Sequence, residues 1–181
     1  MSYRQLVSAA EMEAAIPAIA REIAEKFSGR VGECALVGLY HQGVPLAEKI
    51  SDELFAVTGV RPKSGKLDIT MYRDDIGNRN RLPMIRETEI PFDVNDREII
   101  LVDDVLSTGR TVRAALDALT DYGRPGLIRL AVMVDRGAPE YPIHADFVGF
   151  RIDAAPDRKI AIRFDADNQF PGAGIYEVAW R

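Results

Sequence analysis

Cysteine is almost missing from this chain: Cys34 is the single thiol among 181 residues. That excludes a disulfide within the chain and fits a reducing cytosol, with Cys34 reading as a small buried hydrophobe. Histidine is scarce too, and neither His41 nor His144 has partners at metal-ligand spacing, so a zinc site has no support. Long apolar runs are lacking. No stretch approaches the ~20 residues that cross a bilayer, and nothing near the N-terminus reads as a secretory signal, so a soluble cytoplasmic protein with no membrane partner is expected. Positive charge is not in excess, since 23 Lys and Arg against 28 Asp and Glu leave a net charge of -5. A bulk DNA or RNA footprint is thereby excluded, while a local basic patch is not. Internal repeats, low-complexity tracts and a Walker-type Gly-Lys-Ser/Thr loop are also absent.

What is present suits one compact α/β domain over residues 1–181, because 47% of the residues are hydrophobic. Ser8-Ala9-Ala10-Glu11 is a capping box, and Met12, Ile16, Ile19, Ile23 and Phe27 share one helical face, which predicts a helix over 8–27 kinked at Pro17. Cys34 to Leu39 is an apolar run of strand length. Gly43 opens a second helix that Gly59 closes, with Leu46, Ala47, Ile50, Leu54 and Val57 expected inward. Leu67 to Tyr72 reads as another strand, and the polar stretch from Asp74 to Arg86 as a mobile loop carrying several arginines. Ile99 to Val102 is apolar at every position, as a parallel strand covered on both faces should be, and is expected to end at Asp103. A third helix begins near Arg110, with Val112, Ala115, Leu116 and Leu119 inward. Leu127 to Val134 returns as a strand, and 160–164 and 175–180 read as extra strands. The alternation predicts a parallel, doubly wound sheet with a small hood of extra strands.

Two adjacent carboxylates, Asp103 and Asp104, at the end of a buried strand are costly, because each disfavours ionisation of the other. They stand where open α/β sheets bind ligands. The next residues, Ser107-Thr108-Gly109-Arg110-Thr111, offer hydroxyls, a glycine and a helix N-terminus, which suit a phosphate. The acids can accept hydrogen bonds from sugar hydroxyls, so one segment reads a phosphorylated sugar. Either half alone also fits a solvated turn, a metal site or a plain N-cap.

Taken together, the apolar strand, the acidic pair, Val105-Leu106 and Ser107 to Thr111 resemble the PRPP fingerprint of type I phosphoribosyltransferases. The likeness extends to the PyrR family of pyrimidine-operon attenuators that are also uracil phosphoribosyltransferases. Asp68-Ile69-Thr70-Met71-Tyr72-Arg73-Asp74-Asp75, Ile90-Pro91-Phe92, Asp121-Tyr122-Gly123-Arg124-Pro125 and Asp135-Arg136-Gly137 carry it. The resemblance implies Mg-dependent transfer of the phosphoribosyl group from PRPP to N1 of uracil, giving UMP and pyrophosphate. It places the ribose hydroxyls on Asp103 and Asp104 and the 5'-phosphate on Val105 to Thr111. Tyr40-His41-Gln42-Gly43 would hold pyrophosphate, Arg79 and Arg81 would belong to a closing lid over Ile76 to Arg86, and Val134, Asp135 and Arg136 would border the base. Arg73 joins these as a further candidate, although beside two aspartates it also reads as a surface ion pair. Mg is expected on the substrate oxygens with no dedicated protein cage. Homo-oligomers, dimers or tetramers, are implied.

Two departures from the family pattern bear on function. Its pyrophosphate loop usually reads threonine-arginine-glycine, where this chain has His41-Gln42-Gly43 and loses a cation. Its RNA face is basic, yet here Pro17-Ala18, Gly137-Ala138-Pro139 and Gly149-Phe150 replace basic positions, and Arg21 stands in place of a histidine. The expectation is an enzyme with RNA attenuation weak or lost. A UMP-sensing RNA-binding attenuator with little catalysis and salvage of a purine base are the rival readings.

Overall fold

A computed structural model describes residues 3–74, 86–155, 157–167 and 170–179. Arg79, Arg81 and most of the expected lid lie outside them. The chain opens with strand β1 (Tyr3–Ser8) and helix α1 (Ala9–Phe27), capped by Ser8 and Glu11 in the expected reciprocal box. The helix runs unbroken through Pro17, and its buried face of Met12, Ile16, Ile19, Ile23 and Phe27 is the one that the 3.6-residue spacing selects. Strand β2 (Cys34–Leu39) is buried at every position and leads to helix α2 (Gly43–Thr58), which ends on Gly59 in the left-handed region. Strands β3 (Lys63–Leu67), β4 (Glu98–Leu106), β5 (Leu127–Asp135) and β6 (Phe147–Arg151) follow, with helix α3 (Arg110–Thr120) between β4 and β5. Strands β7 (Arg158–Arg163) and β8 (Gly174–Ala179) come last.

Five strands form a parallel sheet in the order β3-β2-β4-β5-β6, and β1-β8-β7 form a separate antiparallel sheet. The parallel sheet is covered on both faces. Ile100 and Val102 of β4 point into a core shared with α1 and α2, whereas Ile99 and Leu101 face α3 through Val112, Ala115 and Leu119. A two-residue alternation in a strand buried on both sides leaves no polar face, which explains why β2, residues 99–102 of β4 and residues 130–134 of β5 read as continuous apolar runs. Truncating one of these fully buried residues, such as Leu36 in the α1/α2 layer, leaves a cavity in that layer and costs about 2–5 kcal/mol.

Several expectations need correction. Val57 is 51% exposed, because it lies in the last turn of α2 beyond the reach of the sheet. Leu116 is half-buried but packs against the α3-side core as expected, and Ala114 and Ala118 join that inner face. The strand expected at Leu67 to Tyr72 lies earlier: Lys63–Leu67 pairs with β2, and Thr70–Tyr72 is a single 3-10 turn. As an outer strand of the sheet, β3 tolerates lysines and a serine, so the apolar run marked the wrong residues. Strand β4 does not stop at Asp103 but continues through both carboxylates to Leu106. Past the acidic pair its alternation reverses, with Val105 packed on the α1/α2 side and Leu106 on the α3 side.

Candidate active site

Strand order sets the location of the site. From β2 the chain winds outward to β3, then returns past β2 to β4 and winds the other way, so the connections after β2 and β4 diverge at one mouth. Such a switch point leaves a crevice at the carboxyl ends of the strands. The β2 loop, Tyr40 to Gln42, and the β4 loop, Ser107 to Gly109, lie on its two sides.

Glycine brings these walls together. A Cβ on Gly43 would lie 2.3 Å from the carbonyl oxygen of Val102 and 3.2 Å from Cα of Asp103, so only glycine lets the start of α2 press against β4 at the acidic pair. A Cβ on Gly38 would in turn lie 2.7 Å from Cα of Val44. The Tyr40–His41 peptide within the loop is cis.

Asp103 is only 5% exposed, whereas Asp104 is half-buried. Burial, and then the neighbouring Asp104 carboxylate, push Asp103 well above the ordinary range of an aspartate. Each acid binds the next main-chain amide: Asp103 Oδ1 accepts from Asp104 N, and Asp104 Oδ1 from Val105 N, both at 2.9 Å. Those bonds stiffen the backbone at the point where the strand alternation reverses, leaving the second oxygen of each carboxylate for other donors.

The phosphate-loop candidates follow directly. Gly109 takes φ 88° before α3, and Arg110 N–H donates to Thr108 Oγ1 at 3.4 Å. Ser107 Oγ accepts from Arg136 Nη1 at 3.1 Å, and Thr111 Oγ1 accepts from Arg73 Nη1 at 3.3 Å. Arg73 also acts electrostatically on Asp103, lowering its pKa. The Arg110 side chain turns outward instead, to Asp74 at 2.6 Å and Glu140 at 2.7 Å, over the ring of Tyr141. Val105 is half-buried and Leu106 is in the core, so these two can serve a phosphate only through main-chain groups. Val134 is likewise fully buried, while Asp135 and Arg136 are half-buried at the strand end.

Asp68 is a further candidate that spacing alone did not single out. Burial acts to raise its pKa, but hydrogen bonds from the Thr70 hydroxyl and from the main chain of Arg86 and Thr70 outweigh that and hold it below the usual range. Its main-chain N–H donates to Thr88 Oγ1 at 3.0 Å. Nearby, Arg86 lies 5.2 Å over the ring of Tyr40, whose hydroxyl donates to the Glu87 carbonyl at 3.2 Å. Asp68 and Tyr40 thus fasten residues 86–88 to the β2 loop. In sequence Asp68 stood only as the first residue of the stretch 68–75 that carries the PyrR resemblance, within an expected strand, because its partners lie 18 to 20 residues away. An open recess between α2 and β3, lined by Val44, Ala47, Glu48 and Lys66, is separate and contains none of these groups.

The mouth therefore has an acidic side and, facing it, a side built from hydroxyls, amides and a helix start. The phosphoribosyl transferase domain model matches residues 2–169. The chain is 52% identical over 163 residues to bifunctional protein PyrR of Roseiflexus sp. (strain RS-1), covering 90% of this chain and 88% of the relative. Identity to bifunctional protein PyrR of Deinococcus radiodurans is 49% over 173 residues, covering 96% and 92%. Among solved structures, a hypoxanthine-guanine phosphoribosyltransferase of Bacillus anthracis superposes with TM-score 0.71 at 16% identity, covering 97% of this chain and 98% of that one. The hypoxanthine phosphoribosyltransferase of Trypanosoma cruzi gives 0.72 at 17%, covering 98% and 94%. Identities that low speak to the fold alone. By fold, family match and sequence identity, the chain belongs to the phosphoribosyl transferase family and, within it, to the PyrR family.

Proposed function

We propose that this protein transfers the phosphoribosyl group of PRPP to N1 of uracil, forming UMP and releasing pyrophosphate. One observation carries the reading: Gly43 packs onto β4 at Val102 and Asp103, so the β2 loop and the acidic pair border one mouth. The anomeric C–O bond to pyrophosphate breaks, a C–N bond to uracil forms, and the N1 proton leaves. The protein's task is to orient three pieces and to offset the charge of the leaving group.

In this reading Asp103 and Asp104 accept hydrogen bonds from the ribose hydroxyls. Ser107, Thr108 and Thr111, with the amides of 105–111 and the positive end of α3, receive the 5'-phosphate. Tyr40, His41, Gln42 and Gly43 line the pyrophosphate end, and the family resemblance assigns Arg79 and Arg81, outside the described residues, as cations for the same group. Arg73 steadies Thr111 beside Asp103. The base lies against the end of β5, bordered by Asp135 and by the main chain of Val134 and Arg136. Asp103 and Asp104 supply hard oxygen donors of the kind Mg prefers, and no group of three or more His, Cys, Asp and Glu among the described residues is placed to hold an ion. The donor set thus suits Mg carried in on PRPP oxygens, where it would neutralise the departing diphosphate.

The test is nucleotide formation from PRPP and Mg with uracil, hypoxanthine, guanine or xanthine offered separately. UMP as the dominant product is expected; a purine nucleotide in its place would move the assignment to purine salvage. The relatives are named bifunctional, which favours a second role beside transfer. RNA attenuation is that role in the PyrR resemblance, and the uncharged Gly137, Ala138 and Pro139 on the surface support weak binding. Nanomolar, sequence-specific retention of a pyrimidine-leader RNA in a filter assay would overturn that weakness.

A further inference from the structure

Arg136 sits one residue beyond β5, and its side chain does something other than face a base. Its main-chain N–H donates to the Leu106 carbonyl at 2.9 Å, which fixes it beside the β4 loop. Nη1 donates to Ser107 Oγ at 3.1 Å, and Nη2 donates to the carbonyls of Ala154 and Ala155 at 3.2 and 3.3 Å. Nε is buried and finds no acceptor among the described residues. Every partner is neutral. None of the salt bridges among the described residues includes Arg136.

A guanidinium keeps its charge at every physiological pH, and a half-buried charge facing only neutral groups is poorly compensated. An anion arriving beside it removes that deficit. The bond to Ser107 has a second consequence. Because Oγ accepts from Nη1, the hydroxyl's own hydrogen is left for another acceptor, so Ser107 is set in advance as a donor. A phosphate offers only acceptors to it.

We infer that Arg136 is a positioning residue for the sugar phosphate: it orients the Ser107 hydroxyl, supplies the uncompensated positive charge behind the loop, and makes both depend on the segment at Ala154 and Ala155. This rests on the placement of the phosphate at Ser107 to Thr111 proposed above, and it assigns the Arg136 side chain to the phosphate end while its main chain borders the base. The clasp joins the end of β5, the phosphate loop and the lead-in to the second sheet, so the anion subsite is a tertiary device and not a property of the loop alone.

Calorimetric titration of the full chain with ribose 5-phosphate, and separately with Mg and pyrophosphate, tests this. Arg136→Met is expected to weaken ribose 5-phosphate about tenfold or more and leave pyrophosphate within about twofold, since a hydrogen-bonded charge is removed from one end only. Arg136→Lys keeps the charge but not the fork, and should fall between. Ser107→Ala should weaken the same ligand, and the double variant should be no worse than its weaker parent, because both changes break one linkage. In turnover, the KM for PRPP rises while kcat changes little. Equal loss of both ligands, unchanged ribose 5-phosphate affinity, or simple additivity would overturn the inference. If Arg136→Met does not fold, the cycle built from Arg136→Lys and Ser107→Ala decides by the same criterion. A wild-type protein that binds no ribose 5-phosphate sinks the phosphate-loop reading and this inference with it. Wild-type binding that is indifferent to Arg136 sinks this inference alone.

Discussion

Two arginines of the β5 region invite comparison, one near its start and one just past its end. Arg129 Nη1 reaches Asp146 at 3.1 Å and Nη2 reaches Glu98 at 3.5 Å, whereas Arg136 meets one hydroxyl and two carbonyls. Both leave Nε buried and unbonded among the described residues. At the amino end the cation is matched by two carboxylates and ties three strand regions together. At the carboxyl end the cation has no carboxylate partner among the described residues, while two carboxylates a few residues along β4 crowd each other instead. Charge compensation is thus local at one edge of the sheet and left for a ligand at the other.

The largest expected effect comes from removing the crowded pair. Replacing Asp103 and Asp104 together by Asn should lower kcat/KM by about a hundredfold or more, with the thermal midpoint retained or raised; unchanged turnover would contradict the hydroxyl-binding role. Next, Arg129→Met should cost about 2 kcal/mol in chemical denaturation and leave ribose 5-phosphate affinity unchanged, the reverse of the Arg136 pattern. Should Arg129→Met weaken the ligand instead, the two ends are not the separate devices described here. Gly43→Ala forces a Cβ against the Val102 carbonyl and should cost about tenfold in kcat/KM, read best by pre-steady-state release of pyrophosphate.

The smallest effect concerns pH. Asp103 has a raised pKa in the folded protein, so it stabilises the fold only while protonated. That contribution is complete below the unfolded pKa of ~4 and is lost as pH rises through the folded value. Asp103→Asn should therefore gain in Tm over wild type as pH increases from about 4 toward neutrality. A difference that shrinks over that range would mean the acid is compensated by groups other than those described.

How much could be read beforehand follows from the same contrast. Strand β2, residues 99–102 of β4 and residues 130–134 of β5 are covered on both faces, so their burial left an apolar record, and α1 announced itself through Ser8 and Glu11. Strand β3, Lys-Ser-Gly-Lys-Leu, has β2 on one edge and, among the described residues, only the isolated Lys66–Glu89 bridge on the other, and its sequence carries no such record. Strand β1, exposed at four of its six positions, was equally silent. In the site, Asp103, Asp104 and Ser107 to Thr111 are consecutive or nearly so, and local chemistry exposed them. The roles of Asp68, Tyr40 and Arg136 arise from partners 18 to 47 residues away, which only the folded sheet brings within reach.

The pairing of β1 with β8 also orders events in time. Among the described strands, β1 has β8 as its sole neighbour, with Tyr3 opposite Val178 and Ser8 opposite Gly174. On a ribosome, β1 must wait until β8 has been made before it can find its mate. The parallel sheet is complete in residues 34–151 and can assemble earlier, so the small sheet closes last, like a clasp fastened after the garment is on. Nascent chains stalled before Gly174 should therefore leave Tyr3 to Ser8 open to proteases while the central sheet already resists them.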